Sequence, residues 1–384
     1  MLQHKIPFSL LSGFLVFFYQ ITYSDQTPLS QIGLGLKLNP VMPSQAAMGF
    51  TGMAKVNKQG AYLLNPSLGA FNTITSFEFS FKSTLNQLSD NHGTTRLTSS
   101  TLPFIALSHT LGSYGNLYLA YSNCFEKKFS YTQKEKNFRL ESGPSEISTG
   151  YSYPFSPFFS IGLSYFRLFG SERQITEIKM PDSTHIPFED TTLATYSGGY
   201  PSISATLRDP HWSLGIRLDI PSKFERLTSK HATNQTFPLD TTEEFSIPLI
   251  WAVGIAKKSH HHTYTLDFIW EHWDKNIDNH INEGFMLASG YERRALGSKF
   301  DPYYKRIHTR AGAGIRRHYI YEMFDYFASF GLGLPVGQKA HLFDIALVGG
   351  YRNPGENISL QDAYLQIHLG MTGLSVWGQS LRRK

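Results

Sequence analysis

Three consecutive histidines, His260-His261-His262, are the residues that most invite a metal ion. Adjacent side chains on an extended backbone point to opposite sides, and no cysteine or carboxylate stands beside them at ligand spacing. The run therefore reads as a polar turn. Glu271-His272-Trp273-Asp274 brings an acid and an imidazole together. It closes an alternating stretch, which places His272 and Trp273 at the headgroup level of a membrane strand rather than in an acid–base site. A lipid hydrolase would need a serine and a histidine side by side on outward faces. Ser164, Ser213 and His368 offer the residue types without a pattern. The sequence has no Gly-x-Ser-x-Gly elbow, no His-Glu-x-x-His and no phosphate-binding loop. A single cysteine, Cys124, rules out an intrachain disulfide framework and reads as a small buried hydrophobe. The expectation is a protein with no catalytic residues, no metal and no cofactor.

Composition says what else such a chain can be. Its 384 residues suffice for one large β domain; aromatics reach 14%, and charged residues, at 17%, fall below the roughly 25% usual for soluble domains. A mean hydropathy of −0.24 argues against a bundle of membrane helices. A membrane barrel reconciles these facts, because strands that alternate apolar and polar average out as mildly hydrophilic. The net charge of +5 comes from scattered lysines and arginines, and clusters as small as Arg316-Arg317 cannot track a phosphate backbone, so no nucleic-acid partner is expected.

The elements that would carry these side chains follow in order. Residues 1–24 have a basic start, an apolar stretch from Ile6 to Tyr19 and small residues before Asp25, the layout of a signal peptide cleaved near Ser24. Period-two alternation begins at Phe77, with Phe77, Phe79 and Phe81 on one face. It returns at Leu117-Leu119-Tyr121, Phe159 to Tyr165, Trp212 to Leu218 and Tyr264 to Trp270, where Ile269 breaks it once. Short turns are expected at 154–157, 208–210, 259–262 and 336–339. Long polar loops are expected over 168–196, 223–244 and 273–305. Inner-parity charges at Arg217, Asp219, Asp267, Glu271 and Asp344 read as ion pairs that keep strands from sliding. Inner-parity glycines at 162, 215, 331 and 333 make room inside the barrel. The fold expected is all-β: an antiparallel up-and-down transmembrane barrel of about 14 strands.

Between the signal and the first strand lies Ser44 to Phe71, SQAAMGFTGMAKVNKQGAYLLNPSLGAF. Asn65 can bond its own backbone two residues on, Pro66 presets a turn, and glycines allow close backbone approach. Small-Met-Gly-x-x-Gly, a polar spacer, an aromatic and Asn-Pro-small-x-Leu together resemble the N-terminal plug of the FadL family of outer-membrane transporters for hydrophobic compounds. Ser67 stands here where that family's hatch carries Ala. The last three strand-like runs, Tyr326 to Leu334, Ala340 to Tyr351 and Leu360 to Met371, with Trp377 near the end, are similar to that family's C-terminal strands.

The resemblance implies a plug or hatch over residues 25–76 built on Gly49, Gly52, Tyr62, Asn65, Pro66 and Ser67, a barrel over 77–377, and a basic tail at 378–384. It implies a bacterial outer-membrane protein whose partners are a hydrophobic small molecule such as a long-chain fatty acid, outer-membrane lipid and the barrel-assembly machinery. Cargo would be captured among the loops, enter an apolar pocket and leave sideways through the wall once the hatch shifts. A non-transporting barrel of the same superfamily, acting as a docking or secretion-accessory protein, is the alternative. Solid filling of the lumen would favour that alternative.

Overall fold

The computed structural model describes residues 27–375 apart from positions 32, 58–59, 92, 179–187, 233–239, 275–280, 296, 298–300, 337–340 and 356–359. The expected signal peptide, Trp377 and the basic tail lie outside the described residues.

Fourteen antiparallel strands close into one barrel. In chain order they are β1 (Thr75–Asp90), β2 (Gly93–Thr110), β3 (Asn116–Asn123), β4 (Ser145–Pro154), β5 (Phe159–Ile178), β6 (Phe188–Arg208) and β7 (Trp212–Asp219). Then follow β8 (Leu249–Ser259), β9 (His262–His272), β10 (Gly284–Arg293), β11 (His308–Arg317), β12 (Phe324–Val336), β13 (His341–Asn353) and β14 (Gln361–Ser375). β1 closes the ring against β14, from Thr75 opposite Ser375 to Ser89 opposite Gln361.

Alternation drives this closure. Leu163 and Tyr165 on β5 and Leu214, Ile216 and Leu218 on β7 are exposed, while Ser164, Gly215 and Asp219 between them are buried. Phe159 to Tyr165 spans six rises, roughly 20 Å of strand, near the ~25 Å apolar band of an outer-membrane-type barrel. Large apolar side chains on the outside and small or polar ones inside are stable only where lipid surrounds the wall and backbone groups pair completely. Phe81 departs from the expected Phe77-Phe79-Phe81 face: it is buried beside a register shift between Ser80 and Lys82.

Short turns join the strands at one end, at 111–115, 155–158, 209–211 and 260–261, and the triple histidine lies there. His260 and His261 form the turn, and His262 starts β9 with Nδ1 2.8 Å from the Tyr291 hydroxyl. The three long loops need correction. Over 168–196 the β5–β6 ladder runs on until Ile178 faces Phe188. Lys223–Ala232 and Thr241–Ser246 form a paired hairpin docked on β6. Polar, threonine-rich ladders outside the lipid keep their hydrogen bonds without an apolar face, so the hydrophobic period cannot reveal them. The interval 273–305 contains β10, whose inner residues Ala288 and Gly290 are too small to announce a strand. Its second part returns to the short-turn end, where the Arg294 amide donates to His261 O at 2.7 Å.

Residues 27–72 run inside the ring. They comprise 3-10 turns at Pro28–Gln31 and Pro66–Phe71, a helical turn at Pro43–Ala46 and a two-residue strand, Leu36–Lys37, paired with Phe125–Glu126. Met48, Met53, Asn65, Ser67 and Leu68 are fully buried there.

Candidate functional site

The lumen has two storeys. At the short-turn end, the segment from Gly49 to Phe71 is fastened to the wall by hydrogen bonds. Asn65 caps the Pro66–Phe71 turn by accepting from the Ser67 amide at 3.2 Å, and its Nδ2 donates to Met53 O at 2.6 Å and Thr206 Oγ1 at 3.0 Å. The Ser67 hydroxyl lies 2.6 Å from both Asn65 Oδ1 and Thr206 Oγ1. Ser204 Oγ accepts from the Ser67 amide, and Ser160 Oγ donates to Ser67 O at 2.9 Å. The Gly52 and Met53 amides converge on one Asp267 oxygen at 2.6 and 2.9 Å. Asp267 therefore grips the luminal chain instead of pairing with another strand, a correction to its expected role.

Close backbone approach explains the glycines. A Cβ on Gly312 of β11 would fall 2.2 Å from Gly49 N. Gly49 itself holds φ +68°, where its own Cβ would meet Ser289 O at 2.8 Å. Only glycine on both sides permits this contact. Tyr62 and Pro66 are buried in the same layer. Lys55 extends the fastening to Glu292 at 3.1 Å, and burial pulls its ammonium down to about 8.

At the loop end the fastening is aromatic. Trp273 stacks on Tyr319 with ring centroids 4.1 Å apart, and Phe125 meets both edge-on. The Tyr319 hydroxyl donates to Gly35 O at 2.7 Å and accepts from the Leu34 amide. Trp273 is thus a luminal residue, 2% exposed, with Nε1 donating to Glu271 Oε2 at 3.0 Å. The headgroup position expected for it is thus ruled out for Trp273, while His272 is exposed beside Glu283. The chain turns inward just after β9, so alternation no longer tells which way Trp273 points.

Beneath these rings is an apolar cavity of about 100 Å³, walled by Leu38, Leu63, Phe166, Leu168, Ile250 and Ile269 among others. Ile269, which broke the alternation, lines it. Above lies a more polar vestibule of about 580 Å³ that includes the Lys127–Glu172 pair at 2.8 Å. Leu34 and Trp273 belong to the walls of both spaces and so partition them. One stretch of the barrel wall is thin in ladder bonds. After Asn123 the chain dips into the lumen as Cys124–Lys127, so β3 pairs with β2 only along Phe104–Thr110. Gly93–Pro103 of β2 is paired, among the described residues, on its β1 side alone. Cys124 is buried in this dip, its thiol pushed well above its ordinary range by desolvation.

The remaining expected charges are all in luminal ion pairs, but only Arg310–Asp344 at 2.5 Å ties two wall strands together. Arg217 holds Asp219 on the same strand in a two-pronged contact at 2.6 and 2.7 Å, and Glu271 holds Lys37 of the luminal segment at 2.6 Å, so neither pair braces strands against sliding. Ser164, Ser213 and His368 stand on three separate strands, β5, β7 and β14, and all take luminal positions. None lies on the outward face a lipid hydrolase would need. Nothing in the residue pattern marks Leu34 or Trp273 as a partition; the one usable hint was the Ile269 interruption.

No family model and no curated protein matches the sequence. Solved structures do. A FadL homologue of Pseudomonas aeruginosa superposes with a TM-score of 0.64 at 9% identity, covering 88% of this chain and 99% of the other. The toluene transporter TbuX of Ralstonia pickettii gives 0.59 at 13% identity, covering 90% and 99%. The toluene transporter TodX of P. putida gives 0.59 at 15% identity, covering 86% and 97%. The fold is FadL-like. At these identities the likeness concerns the architecture, and it extends over nearly the whole of each FadL-like barrel.

Proposed function

We propose that this chain is an outer-membrane channel for hydrophobic compounds, with residues 27–72 as its plug. Cargo enters the loop-end vestibule, passes the Leu34–Trp273 partition and rests in the apolar cavity. It leaves when the segment around Asn65-Pro66-Ser67 shifts, sideways through the wall beside β2. The observation that carries this reading is the apolar cavity itself, shared by the plug and the wall and separated from the vestibule by one pair of side chains. An apolar cavity of about 150 Å³ takes benzene; this one, at about 100 Å³, sets a single ring as the upper size and requires the walls to give slightly to admit it. A long-chain fatty acid would require the plug to withdraw further. The toluene transporters among the structural neighbours support the same choice of size class. The accessory-barrel reading predicts a solidly filled lumen, and the two spaces count against it.

The test is uptake of labelled toluene and labelled oleate by cells with the protein, without it, and with Asn65–Leu68 deleted. Toluene uptake should depend on the protein, and the deletion should change it. Equal uptake in all three strains would dispose of the transport reading.

A further inference from the structure

The cavity has one polar corner that no other contact explains. Glu146 on β4 lines it and is 7% exposed. Among the described residues its carboxyl receives one hydrogen bond, from the Tyr200 hydroxyl at 2.9 Å, and makes no ion pair. Directly across the β3–β4 ladder is Ser122, 1% exposed, a residue of the cavity wall whose buried hydroxyl has no hydrogen-bond partner among the described residues. Opposed residues on neighbouring strands hold their Cβ atoms roughly 5 Å apart. A buried hydroxyl left unpaired costs about 1–3 kcal/mol, and a carboxyl with an oxygen to spare is equally out of place in an apolar wall. Both groups are satisfied at once by a ligand hydroxyl that donates to Glu146 and accepts from Ser122.

Charge sharpens the choice of ligand. The two cations in the lining, Lys37 and Arg217, are already engaged by Glu271 and Asp219. With Glu146 the lining holds three carboxyl groups against two cations. A ligand carboxylate would find no free cation and would sit against Glu146, which is a built-in discrimination against it.

The geometry points to a cavity selective for compact apolar molecules bearing a hydroxyl group, with Glu146 and Ser122 as the specificity-determining head site. This rests on the cavity being the cargo site, as proposed above. The matched probes are benzene, phenol and benzoate, each titrated against the full-length protein in detergent at pH 7, where phenol is neutral. Phenol should bind most tightly and benzoate least. In Glu146→Leu, phenol affinity should fall roughly two- to tenfold, the loss expected for one hydrogen bond, while benzene affinity stays unchanged and so certifies an intact cavity. Ser122→Ala should cost phenol several-fold and benzene nothing. Equal binding of phenol and benzene to the unaltered protein would overturn the head site while leaving the cavity reading in place. Benzoate binding most tightly would also overturn it, and binding of none of the three would overturn both.

Discussion

The two ends of the luminal segment are held by different physics. At the short-turn end, Asn65, Ser67, Gly52 and Met53 are fixed by directional hydrogen bonds to Thr206, Ser204, Ser160 and Asp267, with backbone packed on glycine. At the loop end, Leu34 and Gly35 are held by stacked rings, with the Tyr319 hydroxyl as their polar tie. A hydrogen-bonded seat is all or none: losing its register leaves buried donors unpaired at about 1–3 kcal/mol each. An aromatic contact slides at lower cost, since dispersion is spread over many atoms. The luminal segment is therefore latched below and compliant above, which suits the proposed path, in which cargo enters past the rings and release needs the latch to open.

Breaking the latch should have the largest effect. Gly312→Leu places a side chain where Gly49 and Met48 now lie. Overpacking of this kind costs about 1–3 kcal/mol, enough to raise the population with the luminal segment displaced roughly five- to hundredfold. The expected outcome is frequent opening in planar-bilayer recordings and sensitivity of cells to bulky antibiotics, with the heat-modifiable gel shift of a folded barrel retained. Asp267→Ala comes next. It strips the Gly52 and Met53 amides of a charged acceptor, a contact worth about 1.5–3 kcal/mol, and hydrogen exchange at those two amides should accelerate accordingly. Trp273→Ala acts on the compliant end and should separate the two halves of the comparison. The cavity and vestibule merge, so a bound hydrophobe should dissociate several-fold faster while the closed-state conductance stays low. High conductance in Trp273→Ala would show that the rings, not the latch, seal the pore.

Much of the wall could be read from the sequence because lipid on one side and lumen on the other impose a period of two. The inner glycines at 162, 215 and 331 were legible for the same reason, and each does face the luminal segment: Ser67 and Pro66, Met53 and Asn65, and Ala47 respectively, whereas Gly333 makes room for the Arg310–Asp344 pair. What escaped was whatever lay off that period. β10 carries Ala288 and Gly290 where a longer polar side chain would have marked the inner face, so it hid in a supposed loop. Trp273 follows the last residue of its strand, where the chain bends inward. Glu146 and Ser122 are ordinary inner-parity residues. Only the inward dip of Cys124–Lys127, a tertiary event, makes them neighbours of a cavity.

Ser67 tests the latch most finely, because the family resemblance places Ala at its position in the Asn-Pro-Ala hatch. The Ser67 hydroxyl makes two short contacts, to Asn65 Oδ1 and Thr206 Oγ1. Ser67→Ala removes both, yet Asn65 Nδ2 still donates to Thr206 Oγ1, and the Ser67 amide keeps Asn65 Oδ1 and Ser204 Oγ as acceptors. The seat is thus weakened by about 1 kcal/mol and not dismantled. Brief openings should become several-fold more frequent without a lasting open state, and the effect should add to that of Trp273→Ala, since the two ends share no partner. An opening frequency as high as in Gly312→Leu would mean that the hydroxyl, and not the close packing of Gly49 against Gly312, is what holds the luminal segment in register.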